Sequence, residues 1–468
     1  MSSSEKPSLI EKVKISGMDS EGRAVARIDG MVLFVPLSVP GDVVDIRITA
    51  RKKNYLEGVA VKFHEYSPER VNPICAHFGE CGGCTWQHIC YEKQLVYKKK
   101  IVEDNIERIG KVYPENVMPV LESPQKYYYR NKLEYTFSSR RWLTENEILS
   151  GEEPDREKAL GFHKRGFFDR VIDIKECYLQ PEPANRIRNA IRDYALTLNL
   201  QFYNVKSHTG FLRNLIIRNS SDGQIMVIMV FSQYDKKHIE GLLDFIKKEF
   251  PQVTSLFYVI NTKRNDSISD MEAIHYYGED YLFENMNGLK YRVGPKSFYQ
   301  VNTLQAARLY ETIKRMACLT GKEVVYDLYT GTGSIACYIS AEAASVTGVE
   351  CVAEAVEDAK ANASLNGCSN VKFIEGDIKK MLSGGIFDEY GYPDVVITDP
   401  PRSGMHGEVI RSLLSAAPSR IVYVSCNPST QARDISIISE KYRVETMQPV
   451  DMFPQTHHVE NVTLLVRR

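Results

Sequence analysis

The chain has 468 residues, enough for about three domains at roughly 150 residues each. Its 43% apolar and 25% charged residues exclude the disordered, collagen-like and low-complexity classes. With 59 Lys and Arg against 60 Asp and Glu the net charge is −1, so a nucleic-acid partner would have to be held by local basic patches and not by bulk charge.

The opening MSSSEKPSLIEKVK has neither the basic nor the apolar stretch of a signal peptide, and no window approaches 18 uncharged apolar residues. A soluble, cytoplasmic protein without membrane contact is expected. Its ten cysteines then read as buried thiols, metal ligands or a nucleophile, not as a disulfide framework.

From Ile10 to Val71 short β-segments (GRAVARIDG, MVLFVP, DVVDIRITARKKNYLEGVAVKF) are punctuated by Gly22, Gly30, Pro36 and Pro40-Gly41-Asp42. Some five strands with no room for helices predict a small closed barrel of the oligonucleotide-binding kind. Arg51, Lys52, Lys53 and Tyr55 place cations beside an aromatic at a hairpin tip, suited to phosphates and a stacked base; a barrel serving only as a spacer is the alternative. Cysteines crowd into CAHFGECGGCTWQHICY. After them Leu95, Ile101, Ile106 and Ile109 predict a helix face, with Lys98, Lys99 and Lys100 as a second candidate basic patch.

Residues 127–299 mix β-segments (YYYRNKLEYTFSS, ALGFHKRGFFDRVIDI, NLIIRN, GQIMVIMVFS, SLFYVIN) with helices near 181–198 and 236–250, an α+β pattern. From about Leu304 helices and strands alternate strictly through RIVYVSC, which predicts a parallel sheet covered on both faces. KYRVETMQPVDMF and NVTLLVRR lack a helix between them and predict an antiparallel hairpin at the sheet edge. The expected division is a β-barrel over 1–70, an α+β domain over 71–295 and a doubly wound α/β domain over 296–468.

In the last of these, Asp327-Leu-Tyr-Thr-Gly331-Thr-Gly333-Ser334 ends a strand and opens a helix, where glycines admit a ligand close to the backbone. Glu350 ends the next strand, placed for ribose hydroxyls, and Asp377 the third, placed for an adenine edge. Ile335 and Ala336 stand where a dinucleotide fingerprint needs its third glycine, so S-adenosylmethionine is favoured over a nicotinamide cofactor.

Asp399-Pro400-Pro401-Arg402 ends the fourth strand and Ser425-Cys426-Asn427-Pro428 the fifth. Arg402 replaces the stacking aromatic that amino-methylating enzymes carry after the prolines, which argues against an exocyclic amine as target. A thiol on this edge suits pyrimidine C5, a poor nucleophile that is activated when a thiolate adds to C6. Glu460, in HHVENV, is the candidate base for the C5 proton.

Ser-Phe-Tyr-Gln-Val-Asn (297–302), DLYTGTGS, DPPR, SCNP and FPQTHHVE (453–460), in this order, resemble the RNA uracil-5-methyltransferases with an N-terminal TRAM barrel and a cysteine cluster. The resemblance implies Cys426 as nucleophile and Glu460 as general base. It puts Gln300, Tyr329, Ser334, Glu350, Asp377 and Asp399 at cofactor positions, with Asp399 also near the target base. Thr330, Ser334 and Gln455 depart from the residues common in the family, and a substrate role for Gln455 is thereby put in doubt.

Cys75-x5-Cys81-x2-Cys84, with Gly82-Gly83 between, presents three thiolates to one centre, and Cys177 lies far along the chain. Such a set suits an iron-sulfur cluster or zinc. The resemblance implies a 4Fe-4S cluster with Cys177 as fourth ligand. Zinc held by Cys81, Cys84 and two of Cys90, His77 or His88 is the alternative. The spacing is not the C-x3-C-x2-C of radical enzymes, so a structural or RNA-positioning cluster is expected. The expected partner of this monomer is RNA, 23S rRNA before tRNA. Two other classes are weighed, an RNA-binding protein whose methylation site has lapsed and a nicotinamide oxidoreductase with an iron-sulfur relay.

Overall fold

A computed structural model describes residues 8–150 and 157–468. Residues 1–7, part of the opening segment read above for a leader, lie outside the described residues. The barrel comprises β1 (Leu9–Lys14), β2 (Gly17–Met18), β3 (Ala24–Ile28), β4 (Met31–Val35), β5 (Val43–Arg51) and β6 (Tyr55–Glu65), in the order β1-β5-β6-β4-β3-β2. The strand beyond the expected five is the two-residue β2. Val13, Ile15, Ala24, Ala26, Leu33, Val35, Val44, Ile46 and Leu56 fill its core, on the alternate positions that a strand turns inward.

The middle of the chain contributes α1 (Tyr91–Asn105), β7 (Asn116–Val117), β8 (Lys132–Ser138), α2 (Glu145–Leu149), β9 (Ala159–His163), β10 (Val171–Asp173), α3 (Ala184–Thr197), β11 (Leu212–Asn219), β12 (Ile225–Phe231), α4 (Lys236–Glu249), β13 (Ser255–Ile260) and β14 (Ile274–Gly278). Seven of these strands form one sheet, β10-β9-β8-β11-β12-β13-β14. β11 and β12 are buried along their whole length. That is why IMVIMVF is a continuous apolar run and not an alternating one, whereas β11 buries Arg213, Asn214, Arg218 and Asn219 beside its four apolar residues.

The last region holds β15 (Leu282–Met286), β16 (Leu289–Val293), α5 (Thr303–Ala317), β17 (Val324–Leu328), α6 (Ser334–Ile339), β18 (Ser345–Glu350), α7 (Ala353–Leu365), β19 (Val371–Glu375), α8 (Ile378–Ser383), α9 (Ile386–Tyr390), β20 (Val395–Thr398), α10 (Gly407–Ala416), β21 (Arg420–Ser425), α11 (Pro428–Ile438), β22 (Tyr442–Val450) and β23 (Glu460–Arg467). Its sheet runs β19-β18-β17-β20-β21-β23-β22-β7. The first five strands are parallel and β23 is antiparallel to β21. The order reverses between β17 and β20, the switch point at whose carboxyl edge such sheets bind ligands. The expected closing hairpin is β22–β23, but β7, from the middle of the chain, adds a further parallel strand outside it.

Helix α1 buries Ile101 and, just past its end, Ile106 of the face that its apolar spacing predicts, but it also turns polar residues inward. Tyr91, Gln94, Lys98, Ile101, Val102 and Asn105 are buried, while Ile109 is 45% exposed. The physical reason is its neighbour, an irregular loop over 451–459 whose backbone groups need polar partners. Lys98, expected in a basic surface patch, is fully buried against Asp451. Lys99 and Lys100 pair with Glu103 and Asp104 one turn on, at 3.6 and 3.2 Å. The run is therefore no free cationic surface, whereas Arg51, Lys52 and Lys53 at the barrel tip are exposed.

Barrel, α1 and C-terminal sheet share one core, in which Val39, Trp86, Ile101 and Tyr423 belong to a single apolar cluster. The β2–β3 turn reaches the 451–459 loop directly. Gly22 sits at φ +78°, a Cβ there would lie 2.7 Å from the His457 side chain, and its carbonyl accepts the Trp86 indole N–H at 3.0 Å. Gly22→Val is expected to cost about 1–3 kcal/mol, from backbone strain and overpacking together. Denaturant unfolding checks this, and a variant as stable as the parent would show that the turn does not bear on His457.

Candidate active site

After β17 the chain passes through left-handed backbone at Tyr329, Gly331 and Gly333 before α6 begins. A Cβ on Gly331 would meet open space, whereas one on Gly333 would lie 2.5 Å from the Phe373 ring. The first glycine leaves room for a ligand and the second serves packing. Glu350, at the end of β18, grips the loop. One carboxylate oxygen accepts the Gly331 N–H at 3.1 Å, and the other accepts those of Cys351 and Val352 at 2.8 and 3.0 Å.

Asp327 is wholly buried. One of its oxygens accepts the Thr330 hydroxyl at 2.5 Å, and the other has no protein partner. Burial raises its pKa to about 7. A buried carboxyl with a spare acceptor beside an open glycine suits the charged amino-acid end of S-adenosylmethionine.

Ser334 bonds the Tyr310 hydroxyl at 2.8 Å. Asp377, exposed after β19, caps α8 through the Lys380 N–H. Gln300 comes from a separate segment and is tied by its carbonyl to the Asn131 amide at 2.9 Å. Thr332 donates to the Phe298 carbonyl at 3.4 Å, which brings the 297–302 motif onto the glycine loop. Of the six candidate cofactor residues, Tyr329, Glu350, Asp377 and Asp399 thus lie at or just after the ends of four neighbouring strands, Ser334 opens α6 and Gln300 lies on the 297–302 segment.

The reaction groups meet one strand further on. β21 and β23 pair from Arg420 with Val466 up to Ser425 with Asn461. The next opposed pair in this register is Cys426 with Glu460, and opposed residues of an antiparallel pair share a face. Asp399 follows β20 on the same edge. The Arg402 carbonyl accepts from the Asn427 amide at 3.0 Å and the Thr430 hydroxyl at 3.1 Å, which ties the two loops together.

These side chains set one another's protonation. Burial raises Glu460 to about 8, reinforced by Asp399 and opposed by Arg402. Burial likewise pushes Cys426 up to about 11, with Glu460 and Asp399 adding to it and Arg402 opposing. Asp399 stands at about 7, raised by burial and then by Asp327. The sequence marked Arg402 only as a missing aromatic, whereas its guanidinium favours both ionised forms. His457 and His458 carry no signal in the sequence beyond their place in FPQTHHVE. Burial depresses them to about 4 and about 3, so they are neutral at physiological pH, and their rings lie tilted at 39° with centroids 4.1 Å apart.

Cys75, Cys81, Cys84 and Cys177 line one cavity of about 840 Å³. His77 also lines it, whereas Cys90 and His88 do not. His88 packs on Phe78 with ring centroids 5.2 Å apart. Among the described residues no three His, Cys, Asp or Glu side chains converge tightly enough to hold a single metal ion. Burial pushes Cys81 and Cys84 up to about 12, so these thiols ionise only with a compensating cation.

Residues 271–468 match the model of the tRNA (uracil-5-)-methyltransferases, and residues 10–61 that of the TRAM domain. The chain is 52% identical over 454 residues to a Bacteroides thetaiotaomicron protein named as an RNA methyltransferase, covering 96% of this chain and 100% of that one. A Porphyromonas gingivalis protein of the same description is 49% identical over 97% of this chain and 99% of its own. The chain belongs to the RNA (uracil-5-)-methyltransferase family. The fold agrees. The Pyrococcus abyssi tRNA (uracil-54, C5)-methyltransferase, solved with S-adenosyl-L-homocysteine, superposes with a TM-score of 0.74 at 26% identity, covering 97% of this chain and 100% of that one. This methyltransferase uses S-adenosylmethionine to methylate uracil in RNA, and the oxidoreductase alternative falls. Among the described residues no helix is long and apolar enough to cross a membrane.

The candidate base must be ionised to accept a proton and the candidate nucleophile to attack, so with Glu460 raised to about 8 and Cys426 to about 11 turnover is expected to climb from pH 6 through pH 8 and to go on rising above it. Arg402→Gln removes the cation that favours both ionised groups, and its pH–rate profile should shift to higher pH. Steady-state rates across that range check this; an unshifted profile would free Arg402 of the role.

Proposed function

We propose that the protein methylates C5 of a uridine in 23S rRNA through a covalent adduct between Cys426 and uracil C6. The observation that carries this reading is the β21–β23 register, in which the thiol and the carboxyl are opposed just beyond Ser425 and Asn461. The Cys426 thiolate adds to C6, and the C5–C6 π pair moves toward O4 as an enolate. C5 then attacks the sulfonium methyl, and S-adenosylhomocysteine leaves. Glu460 takes the C5 proton, the C5–C6 double bond re-forms and the C6–S bond breaks, which returns the thiolate. Asp399, on the same edge, faces the target base. Gln300, Tyr329, Ser334, Glu350 and Asp377, with the unpartnered oxygen of Asp327, hold the cofactor. The intact nucleophile, base and cofactor acids speak against a lapsed enzyme.

RNA reaches the site along the barrel. From the exposed tip, Tyr55 meets Phe34 edge-on at 5.4 Å, Arg23 lies 4.0 Å over Phe34, and Gly22 abuts His457. Alternating aromatics and cations of this kind suit an unstacked strand. A TRAM barrel accompanies ribosomal members of the family more often than transfer-RNA ones, which favours 23S rRNA. The second reading, tRNA, is favoured by the name of the P. abyssi enzyme, whose match spans the whole chain. The protein is read as a cytoplasmic monomer.

Cys75, Cys81, Cys84 and Cys177 hold a 4Fe-4S cluster in this reading. Four thiols around one roomy cavity suit a cluster, which takes one thiolate for each of four irons. Zinc loses His88 and Cys90, which lie off the cavity. A bound cluster supplies the positive charge that keeps four buried thiolates together, and methyl transfer does not pass through it.

Cys426→Ala is expected to abolish methylation with S-adenosylmethionine affinity nearly unchanged, and Glu460→Gln to trap enzyme on methylated RNA as an adduct that survives denaturation. Radiolabelled methyl transfer and denaturing gels read both outcomes. Turnover by the alanine variant would overturn the nucleophile, and absence of an adduct the base. Mapping 5-methyluridine in rRNA and tRNA from cells lacking the protein decides the substrate. Anaerobically purified protein should carry about four irons per chain and lose them in Cys177→Ser; stoichiometric zinc would overturn the cluster.

A further inference from the structure

The loop over 451–459 joins β22 to β23 and delivers the proposed base, so whatever fixes the loop fixes Glu460. Val450 pairs with Glu460 across the hairpin, which sets Asp451, the next residue, at the root of the loop. Asp451 is fully buried. Lys98, equally buried, meets it in a short contact and donates to the Phe453 carbonyl at 3.0 Å. Tyr91 donates its hydroxyl to the other Asp451 oxygen at 2.9 Å.

Gln94 holds the middle of the loop. It accepts the Gln455 N–H at 3.0 Å and donates to the Gln455 side-chain oxygen at 3.0 Å. Gln455 stands at φ +69°, a conformation that a non-glycine residue keeps only against restraint. Its carbonyl accepts the N–H groups of Thr85 and Trp86, both at 2.9 Å. Tyr91, Gln94 and Lys98 are spaced i, i+3 and i+7 and so occupy one face of α1. The network reaches the cofactor segment as well. Ser123 donates its N–H to the Tyr91 hydroxyl at 2.8 Å, and the Asn302 amide reaches Ser123 at 3.3 Å and the Met452 carbonyl at 3.2 Å.

A buried ion pair is poor economy for stability, since an apolar pair of equal volume often serves as well or better. Its use here is geometric. We infer that Tyr91, Gln94 and Lys98 are positioning residues that orient Glu460 for removal of the C5 proton by fixing Asp451 and Gln455. The inference rests on Glu460 being the base.

The test uses the full-length enzyme with target RNA and S-adenosylmethionine, comparing Lys98→Met/Asp451→Leu, which leaves no buried charge unpaired, with Gln94→Leu, Lys98→Arg and Glu460→Gln. Misorienting the base should lower kcat about tenfold or more in the first two. KM for RNA and S-adenosylmethionine affinity should stay within about twofold, while methylated covalent adduct accumulates above the parent's level. Lys98→Arg, which keeps the ion pair, should recover most of the rate. Should the double variant not fold, Gln94→Leu carries the same readouts. Loss of kcat only in step with melting temperature, with no adduct, overturns the brace. If Glu460→Gln traps adduct and the brace variants do not, the base stands and the brace falls; if Glu460→Gln traps none, both fall.

Discussion

Because β23 runs antiparallel to β21, the residue that ends one strand faces the residue that begins the other, and a thiol comes to stand opposite a carboxyl. A purely parallel sheet offers only strand ends along its ligand-binding edge. Asp327, Glu350, Asp399 and Cys426 are all supplied in that way, at or just after the ends of β17, β18, β20 and β21. Glu460 is the exception, the first residue of its strand, and it reaches the same edge only because the strand is reversed. The proposed adduct mechanism needs two groups acting on adjacent carbons of one ring. The reversed strand supplies the second without a long loop of its own.

The same proximity has an electrostatic cost, since Asp327, Asp399 and Glu460 are buried together and each is raised well above an ordinary carboxyl. Without a counter-charge the cluster favours protonated acids and a protonated thiol. Arg402 relieves part of this. A sulfonium cofactor brings a further positive charge to the same strand edge, and its binding favours the ionised carboxyls there. In the proposed mechanism, cofactor binding and ionisation of Cys426 and Glu460 are thus coupled through charge.

Much of this arrangement was legible in the sequence. Strict helix–strand alternation after Leu304 predicted the parallel sheet. The motif residues at strand ends needed only the α/β rule to place them on one edge. The helices expected near 181–198 and 236–250 are α3 and α4. What the sequence concealed was which polar residues are buried. Lys98, in a run of three lysines, looks like a solvated cation, because nothing near it in the chain reveals Asp451 more than 350 positions away. The buried polar residues of α1 are concealed for the same reason, since apolar periodicity marks Ile101 and Ile106 but cannot register a face that packs on hydrogen-bonding backbone. Arg402, His457 and His458 owe their character to long-range burial and charge, which local spacing does not encode.

Sequence segments and working units therefore differ. Residues 71–295 read as one domain, yet α1 shares an apolar core with the C-terminal sheet and β7 is a strand of it. The stretch that carries Cys81 and Cys84 continues at once into Thr85 and Trp86. Their N–H groups hold the Gln455 carbonyl, and the Trp86 indole holds the barrel through Gly22. Barrel, cysteine segment and catalytic sheet thus meet on one loop of nine residues. Loop backbone normally runs over the surface because its polar groups need water. Here Asp451, Met452, Pro454, Gln455, Thr456 and Val459 are buried, and side chains and N–H groups from the other parts of the chain take the place of that water. The loop that leads into Glu460 is thus held by groups from the cysteine segment and α1 together, and not by the methyltransferase domain alone.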